Sequence, residues 1–278
     1  MEILNIAKEQ LNLVDQRQTL EKYHDFFEEI REFGPKDQNY LQAVRKRVRQ
    51  LDDNMAKRGR GLIGKIVKEK VNLIQRELDT EEEPGLIIFI GNGIPDGHAI
   101  LLDGNPYAVI DLKTFVDRLD AYDQAVYLTH EVTHAFHYKK TPSFYFGNKQ
   151  KILKPPIFKM MIAEGVATYC SFLFTPAPIH DAYWFGQYTE KQVKSWVNIC
   201  EREKGKIGEE IDTGKNKVSP DIMEKLFDAP VRDLGESRMG YCYGTKIVRK
   251  AIEEKGLDAA LKMELYDYRN HVYRYFDL

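Results

Sequence analysis

The stretch His130-Glu131-Val132-Thr133-His134 decides how the rest of this chain is interpreted. Residues four apart in an α-helix lie on the same face, so the two imidazoles of a helical H-E-x-x-H sequence can bind one metal ion. Glu131 then points about a quarter-turn away from the two histidines. The pattern predicts a zinc site on an amphipathic helix that runs from about residue 120 to residue 139.

A small sheet is predicted immediately before this helix. The apolar run Leu86-Ile87-Ile88-Phe89-Ile90 is typical of a short buried strand. Two more extended segments, residues 99–102 and 107–112, flank a turn at Asp103-Gly104-Asn105-Pro106. A short helix at about residues 113–119 would then connect the sheet to the motif helix.

Helices are predicted on both sides of this central part. Downstream, a loop over residues 141–156 has the length of many functional loops, a helix follows at about residues 157–174, and residues 181–278 are mainly helical. Upstream, residues 2 to about 80 predict two or three long helices, with a stop at Gly34-Pro35. Their apolar positions are Leu11, Val14, Leu20, Tyr23, Phe26, Phe27, Ile30, Leu41, Val44, Val48, Leu51, Ile63, Ile66, Val67, Val71, Ile74 and Leu78.

At Pro84-Gly85 the residue pattern changes from one typical of helices to one typical of extended strands. We therefore predict an α+β protein in which a helical N-terminal lobe, residues 1–83, precedes a second domain, residues 84–278. With 278 residues, 43% of them hydrophobic, the chain is long enough to form a substantial core.

The charge balance argues against nucleic acid or a membrane surface as a partner. The chain has 41 basic and 43 acidic residues, for a formal net charge of −2. Residues 45–70 hold ten basic and three acidic residues, but no aromatic residue is interleaved for base stacking and an acidic run follows. No run of about 18 apolar residues occurs, so we expect no membrane span.

The first residues and the cysteines indicate a cytoplasmic protein. The chain begins without a basic start and an apolar run, so no signal peptide is visible. Cys170, Cys200 and Cys242 are too few and too widely spaced for a disulfide framework or a C-x-x-C metal site. We expect buried free thiols in a reducing compartment.

A catalytic zinc site needs a third protein ligand, and Glu164 is the candidate. It lies 30 residues beyond His134 on the next long helix, and Gly165 would let the two helices approach closely. An isolated glutamate on a helix is usually a solvated charge. The neighbours of Glu164 are almost all apolar, however, so its carboxylate would be costly to bury without a cation. These neighbours are Met160, Met161, Ile162, Ala163, Gly165, Val166 and Ala167.

The H-E-x-x-H motif followed by a helical Glu164-Gly165-x-Ala167-Thr168 resembles the gluzincin branch of the zincin metallopeptidases. The later Gly240-Tyr241-x-x-Gly244-x-x-Ile247-Val248 is similar to a segment of predicted zinc-dependent protease families with mostly undefined substrates. The resemblance covers about residues 86–250 and implies a zincin-like fold for residues 84–278. The N-terminal helices have no counterpart in it.

The resemblance implies a role for each matched residue. His130, His134 and Glu164 would bind zinc, and Glu131 would be the general base. The best-known gluzincins have an acidic residue one turn beyond the third ligand, where it orients a zinc histidine. Here that position is Thr168, whose hydroxyl would form a weaker hydrogen bond in the same place.

Two further roles follow from the resemblance. Tyr241 would donate a hydrogen bond to the developing oxyanion, although a tyrosine that only packs in the core explains its position equally well. Tyr243 and His180 are weaker candidates for this donor. His137 lies too far along the helix from His130 to bind the same ion. The substrate would lie along the edge strand of the sheet by strand addition. That strand would be Ala99, Ile100, Leu101, Leu102 and Asp103.

The sequence therefore predicts a peptidase with one Zn²⁺ ion, in which metal-activated water attacks a peptide bond of a peptide or protein substrate. The alternative is a zinc-stabilised binding or scaffolding protein that keeps the fold without turnover.

Overall fold

A four-stranded mixed sheet with helices on both faces organises the protein. The computed structural model describes residues 1–13, 15–31, 39–145, 147, 157–212, 220–228 and 234–278. The strands are β1 (Ile3–Asn5), β2 (Gly85–Phe89), β3 (Gly97–Leu102) and β4 (Asn105–Asp111), in the order β1-β2-β4-β3. β2 runs parallel to β1 and β4, and β3 runs antiparallel to β4. The predicted α+β class and the small sheet before the motif helix are confirmed.

The remaining described residues are mostly helical. The helices are α1 (Ile6–Asn12), α2 (Arg17–Lys22), α3 (His24–Arg31), α4 (Tyr40–Arg49), α5 (Asp53–Glu77), α6 (Leu112–Asp117), α7 (Gln124–Lys140), α8 (Ile157–Leu173), α9 (Ile179–Trp184), α10 (Glu190–Asp212), α11 (Pro220–Phe227), α12 (Met239–Lys255), α13 (Leu257–Leu261) and α14 (Leu265–Phe276). A 3-10 turn, Pro142–Phe144, follows α7. α7 carries the H-E-x-x-H motif.

The sheet has a hydrophobic core on each face because successive side chains of a strand point to opposite sides. Leu86 and Ile88 of β2 join the larger core, which includes residues of α5, α7, α8 and α12. Ile87 and Phe89 join a smaller core with Phe26 of α3 and residues of α1 and α4. The helices α1, α3 and α4 therefore contribute to the core on one face of the sheet, and α5 and the motif helix lie against the other face.

The N-terminal region is more divided than the sequence predicts. In its described residues, five helices and the strand β1 replace the two or three long helices expected there. A three-residue strand is too short to show the alternation that identifies strands in a sequence, and Asn5 ends it by capping α1. The predicted helix position Val14 and the predicted stop at Gly34-Pro35 lie outside the described residues. A domain boundary at residue 83 stays a prediction.

The motif helix also differs from its prediction, because it is buried on all sides rather than amphipathic. Every residue from Val126 to Tyr138 is buried. The hydroxyls of Thr129 and Thr133 donate hydrogen bonds to carbonyls one turn earlier, Ala125 at 2.6 Å and Thr129 at 2.8 Å. Because these bonds satisfy the two hydroxyls, the polar side of α7 can be buried in the protein interior.

Two smaller expectations can be compared with the structure. Among the residues that it describes, none of the helices combines the length and apolarity needed to cross a membrane. The three cysteines are free and buried, as predicted.

Candidate metal centre and active site

The first turn of α7 is capped by Asp123, and Asp123 is in turn bonded to Phe185, which lies far along the chain. The Asp123 carboxylate accepts hydrogen bonds from the backbone N–H groups of Ala125 and Val126, at 2.9 and 3.1 Å. The Asp123 N–H donates to the carbonyl of Phe185, the residue after α9, at 2.7 Å. A capped and anchored N-terminus sets the rotation of α7, and with it the direction of its histidines.

His130, His134 and Glu164 bring three ligand atoms together. His130 Nε2 lies 3.2 Å from Glu164 Oε2 and 3.1 Å from His134 Nε2. His134 Nε2 lies 3.5 Å from the same Glu164 oxygen. The two histidines are 2% and 3% exposed. Within the described part of the chain, these three residues form the one group able to hold a metal ion.

The separations match those of ligands around a tetrahedral ion. Ligand atoms about 2.0–2.2 Å from one zinc ion lie about 3.3–3.5 Å from each other. Two acceptor nitrogens and a carboxylate oxygen at such distances repel one another unless protons or a cation lie between them. The geometry therefore fits a zinc ion held by two imidazole nitrogens and one carboxylate oxygen.

The protonation state of His130 also suits a metal ligand. Burial lowers the pKa of His130 to about 4, so its imidazole is neutral at pH 7. Nδ1 of His130 and Nδ1 of His134 are shielded from solvent and have no hydrogen-bond partner among the described residues. The buried hydroxyl of Thr168 has none either, so the predicted hydrogen bond from Thr168 to a zinc histidine is not formed in this structure. An orienting role for Thr168 stays a prediction.

Glu131 lies beside the cluster and against the start of the edge strand. The side chain is buried, and the burial, together with the nearby Asp96 and Glu164, raises its pKa well above the usual value. A Cβ atom added to Gly97 of β3 would lie 2.7 Å from the Glu131 carboxyl group. Only a glycine allows the strand to pass this close to the carboxylate.

Tyr241 reaches the same cluster from α12. Its ring lies nearly parallel to that of His130, with centroids 6.1 Å apart, and its hydroxyl interacts with Glu164. The position of Tyr241 depends on the crossing of α8 and α12. A Cβ atom added to Gly244 would clash with the Met161 carbonyl, and a Cβ atom added to Gly165 would clash with the backbone of Gly244. The two glycines thus let the helix with Glu164 contact the helix with Tyr241.

The weaker tyrosine and histidine candidates point elsewhere. The Tyr243 hydroxyl donates a hydrogen bond to the Cys200 carbonyl at 2.7 Å, deep in the core. His180 lies 3.4 Å from the carboxylate of its neighbour Asp181. His137 is buried outside the ligand group, with its ring against Phe144.

The predicted substrate strand is the edge strand β3. Asp111 N–H donates to the Asp96 carbonyl, so by alternation the outward backbone groups belong to Gly97, Ala99 and Leu101, while Ile100 and Leu102 face β4. The Leu101 backbone already bonds to the Tyr145 hydroxyl. Asp103 lies beyond the strand, in the exposed turn to β4.

Two neighbours of the cluster are not predicted from the sequence. The Phe185 ring packs edge-on against His130, with centroids 5.2 Å apart. The guanidinium of Arg238 lies over the Tyr241 ring, 3.8 Å from its centroid. Arg238 stands two residues before Gly240, where the glycine-tyrosine segment that the sequence singles out begins, and that proximity is the signal that could have identified it. Phe185 gives no such signal.

Comparison with known proteins gives one match. No curated protein and no solved structure matches the chain. Residues 2–277 match the model of the family described as "Putative zinc dependent peptidase (DUF5700)". Since this match spans nearly the entire sequence and the His130, His134 and Glu164 cluster fits its description, the chain belongs to that family.

Proposed function

We propose that this protein is a zinc-dependent peptidase of the gluzincin type that binds one Zn²⁺ ion through His130, His134 and Glu164. The observation that carries the proposal is the convergence of two Nε2 atoms and one carboxylate oxygen at separations of 3.1, 3.2 and 3.5 Å. The Glu164 side chain keeps 22% of its surface exposed, so the buried cluster is open to solvent on one side.

Glu131 is the proposed general base. A bound zinc ion would supply Lewis-acid chemistry, lowering the pKa of a water molecule and polarising the substrate carbonyl. Glu131 would accept the proton of the attacking water and return it to the leaving amine. Its carboxyl group lies next to Gly97, so a peptide bound along β3 would pass directly over it.

Tyr241 and β3 complete the proposed site. The Tyr241 hydroxyl lies beside Glu164, where it would donate a hydrogen bond to the carbonyl oxygen as negative charge develops. The outward backbone groups at Ala99 would pair with an extended substrate. Such main-chain pairing is independent of side chains and suits a peptide substrate.

The metal content and the activity of matched variants test this proposal. Wild type and Glu131→Gln should each hold one zinc ion by elemental analysis, whereas Glu164→Gln should hold substoichiometric zinc. Glu131→Gln should cleave a peptide library at least about 100-fold more slowly than wild type, because it lacks the base. Glu209→Gln, which changes an exposed glutamate of α10, is the control and should match wild type.

A second pair of variants tests the proposed oxyanion donor. Tyr241→Phe should lower kcat about 100-fold with zinc retained. Tyr243→Phe removes a hydroxyl only two residues away that bonds to Cys200, and it should leave kcat unchanged. Full zinc in Glu164→Gln would reject the ligand set, and unchanged turnover in Glu131→Gln would reject the mechanism. Zinc binding without cleavage of any library peptide would favour the binding or scaffolding protein instead.

A further inference from the structure

Arg238 is a buried cation held in an aromatic cluster. It precedes α12 in a left-handed conformation, φ 52°, which a residue with a side chain rarely adopts. Only 7% of its surface is exposed. Its guanidinium carbon lies 3.8 Å from the ring centroid of Tyr241, 5.0 Å from that of Phe185 and 5.1 Å from that of Trp184. Three rings and an unusual backbone conformation therefore hold one guanidinium in place.

In the part of the chain that the structure describes, this guanidinium has no anionic partner. The Arg238 side chain forms neither a hydrogen bond nor an ion pair there, and its Nε is shielded from solvent without a partner. Arg47, which is also largely buried, binds the Asp111 carboxylate at 2.7 Å and the Thr114 hydroxyl at 2.8 Å. A buried charge without a counter-charge is costly, and the aromatic rings offset only part of that cost. Arg238 is therefore placed to bind an anion that the described residues do not supply.

The position of Arg238 connects this anion to the proposed active site. Tyr241 and Phe185, two of the rings around the guanidinium, also pack against His130. The guanidinium pairs with neither Glu131 nor Glu164, although its charge is close enough to oppose the burial that raises the pKa of Glu131. The cation thus lies beside the catalytic groups and remains available.

We propose that Arg238 binds a carboxylate of the substrate next to the scissile bond, an inference that rests on the proposed peptidase function. A planar guanidinium presents paired N–H donors that match the two oxygens of a carboxylate. The carboxylate is either the C-terminal group of the peptide or the side chain of an aspartate or glutamate near the cleaved bond. Both supply the full negative charge that the site lacks.

The alternative partner for this guanidinium is the oxyanion of the reaction, but the structure favours a substrate carboxylate. An oxyanion appears only in the transition state, whereas the Arg238 charge is permanent and unpaired in the free protein. Tyr241, whose hydroxyl contacts Glu164, is the donor next to the metal ligands. Arg238 should therefore act mainly on substrate binding, and so on KM.

Binding of paired peptides to a protein that does not turn them over tests the proposal. The protein is zinc-loaded Glu131→Gln, and the first pair is acetyl-Ala-Ala-Phe as the free acid and as the amide. The second pair, acetyl-Ala-Glu-Ala-amide and acetyl-Ala-Gln-Ala-amide, tests a side-chain carboxylate. We expect calorimetry to show binding at least about tenfold tighter for the carboxylate member of one pair, and the pair that responds identifies the source.

Variants then assign the preference to Arg238. Adding Arg238→Gln should abolish the difference within the responding pair, and Arg238→Lys should keep part of it. Arg249→Gln, which changes an exposed arginine of α12, should leave the preference unchanged. Circular dichroism and thermal melting confirm that each variant is folded. The comparison of the two peptides of a pair on Glu131→Gln itself leaves Arg238 unchanged, so it does not depend on the folding of an Arg238 variant.

The outcomes separate this inference from the peptidase proposal. Equal binding of both members of both pairs, or a preference that survives Arg238→Gln, would overturn the role of Arg238 even if the enzyme cleaves peptides. A carboxylate preference that depends on Arg238, in a protein that cleaves nothing, would reject the peptidase and keep the binding site. In the active enzyme, an equal fall in kcat for acid and amide substrates in Arg238→Gln would assign Arg238 to the oxyanion and overturn the inference.

Discussion

Gly97 shows how closely single residues limit this site. Its missing side chain lets β3 contact both the Tyr127 hydroxyl and the Glu131 carboxyl group. A methyl group at this position would push either the strand or the carboxylate aside. The absence of a side chain at Gly97 therefore allows the short distance between the proposed base, Glu131, and the edge strand β3.

We predict that Gly97→Ala lowers peptidase activity by about tenfold to 100-fold and the free energy of unfolding by about 1–3 kcal/mol. Zinc content should stay at the wild-type level, because the three ligands lie on other elements. Gly61→Ala in α5 is the control: its added Cβ meets no atom within 4 Å, and it should stabilise the helix by about 0.5–1 kcal/mol. Wild-type activity in Gly97→Ala would contradict the close packing.

His137 makes the stability of the folded protein depend on pH, and this dependence does not involve the metal. Burial lowers its pKa to about 3, and both ring nitrogens lack a hydrogen-bond partner in the part of the chain that the structure describes. Below about pH 6.5 an unfolded chain binds a proton at this histidine, whereas the folded protein does not. The stability from neutral His137 is thus complete above that pH and is lost as the pH falls toward 3.

We predict that His137→Phe makes the free energy of unfolding less sensitive to acid. Between pH 7.5 and 5.0, with EDTA present, wild type should lose about 2 kcal/mol more than the variant. Urea denaturation at the two pH values measures this. Equal losses in the two proteins would show that His137 is protonated while folded.

Residue patterns reveal the proposed metal ligands more readily than their surroundings. His130 and His134 share a spacing with a direct geometric meaning, and Glu164 stands out as a charge in an apolar helix. Phe185 contacts His130, and Arg238 contacts Trp184 and Phe185, each across more than 50 positions of the sequence. No local periodicity encodes such contacts, so Phe185 could not be assigned from the sequence, and the only signal for Arg238 was its closeness to the Gly240-Tyr241 segment.

At the scale of elements, the crossing of α8 and α12 positions Glu164, the proposed third metal ligand, relative to Tyr241. Gly165 of α8 and Gly244 of α12 meet at backbone distance, next to Glu164 and one turn from Tyr241. Any side chain at this crossing must separate the helices, since the atoms it meets are backbone atoms. The glutamate and the tyrosine would then move apart.

We predict that Gly244→Ala destabilises the protein by about 3 kcal/mol and weakens zinc binding, because it displaces the helix that carries Glu164. Thermal melting and a zinc titration measure the two effects. Gly205→Ala, at an open position of α10, adds the same methyl group without a contact and should be neutral or stabilising. Unchanged zinc affinity in Gly244→Ala would show that the crossing does not position the ligand.

Elements are predicted best where they are long and regular. The helices α5, α7 and α8 and the strands β2, β3 and β4 lie near their predicted places. The amphipathic prediction for α7 is wrong because its polar side chains bond within the helix or meet in the metal cluster. Hydropathy alone does not distinguish a polar residue that faces water from one that faces a buried site.

At the scale of the whole molecule, the proposed metal joins two helices of the larger core. α7 supplies two ligands and α8 the third, so a bound ion would link these helices in the folded state only. Binding to the folded state alone raises the free energy of unfolding with ligand concentration. Zinc should therefore act as a stabiliser as well as a cofactor.

We predict that zinc at about 100 times its Kd raises the free energy of unfolding by about 2.7 kcal/mol, and Tm by about 5–10 °C. Glu131→Gln should show the full shift, because Glu131 is not a proposed ligand, and Glu164→Gln should show little of it. Differential scanning calorimetry with zinc and with EDTA gives both values. A shift in Glu164→Gln equal to that of wild type would place the ion elsewhere.

The parallel pairing of β1 with β2 has a consequence for the order in which the protein folds. Ile3 pairs with Leu86, so some 80 residues separate two neighbouring strands. Closing so long a loop is entropically expensive, whereas the helices between the strands and the hairpin of β3 and β4 form through local contacts. During synthesis, β1 leaves the ribosome before β2, so it stays unpaired until β2 has been made. The sheet beside the site is then completed by a strand that was synthesised some 80 residues earlier.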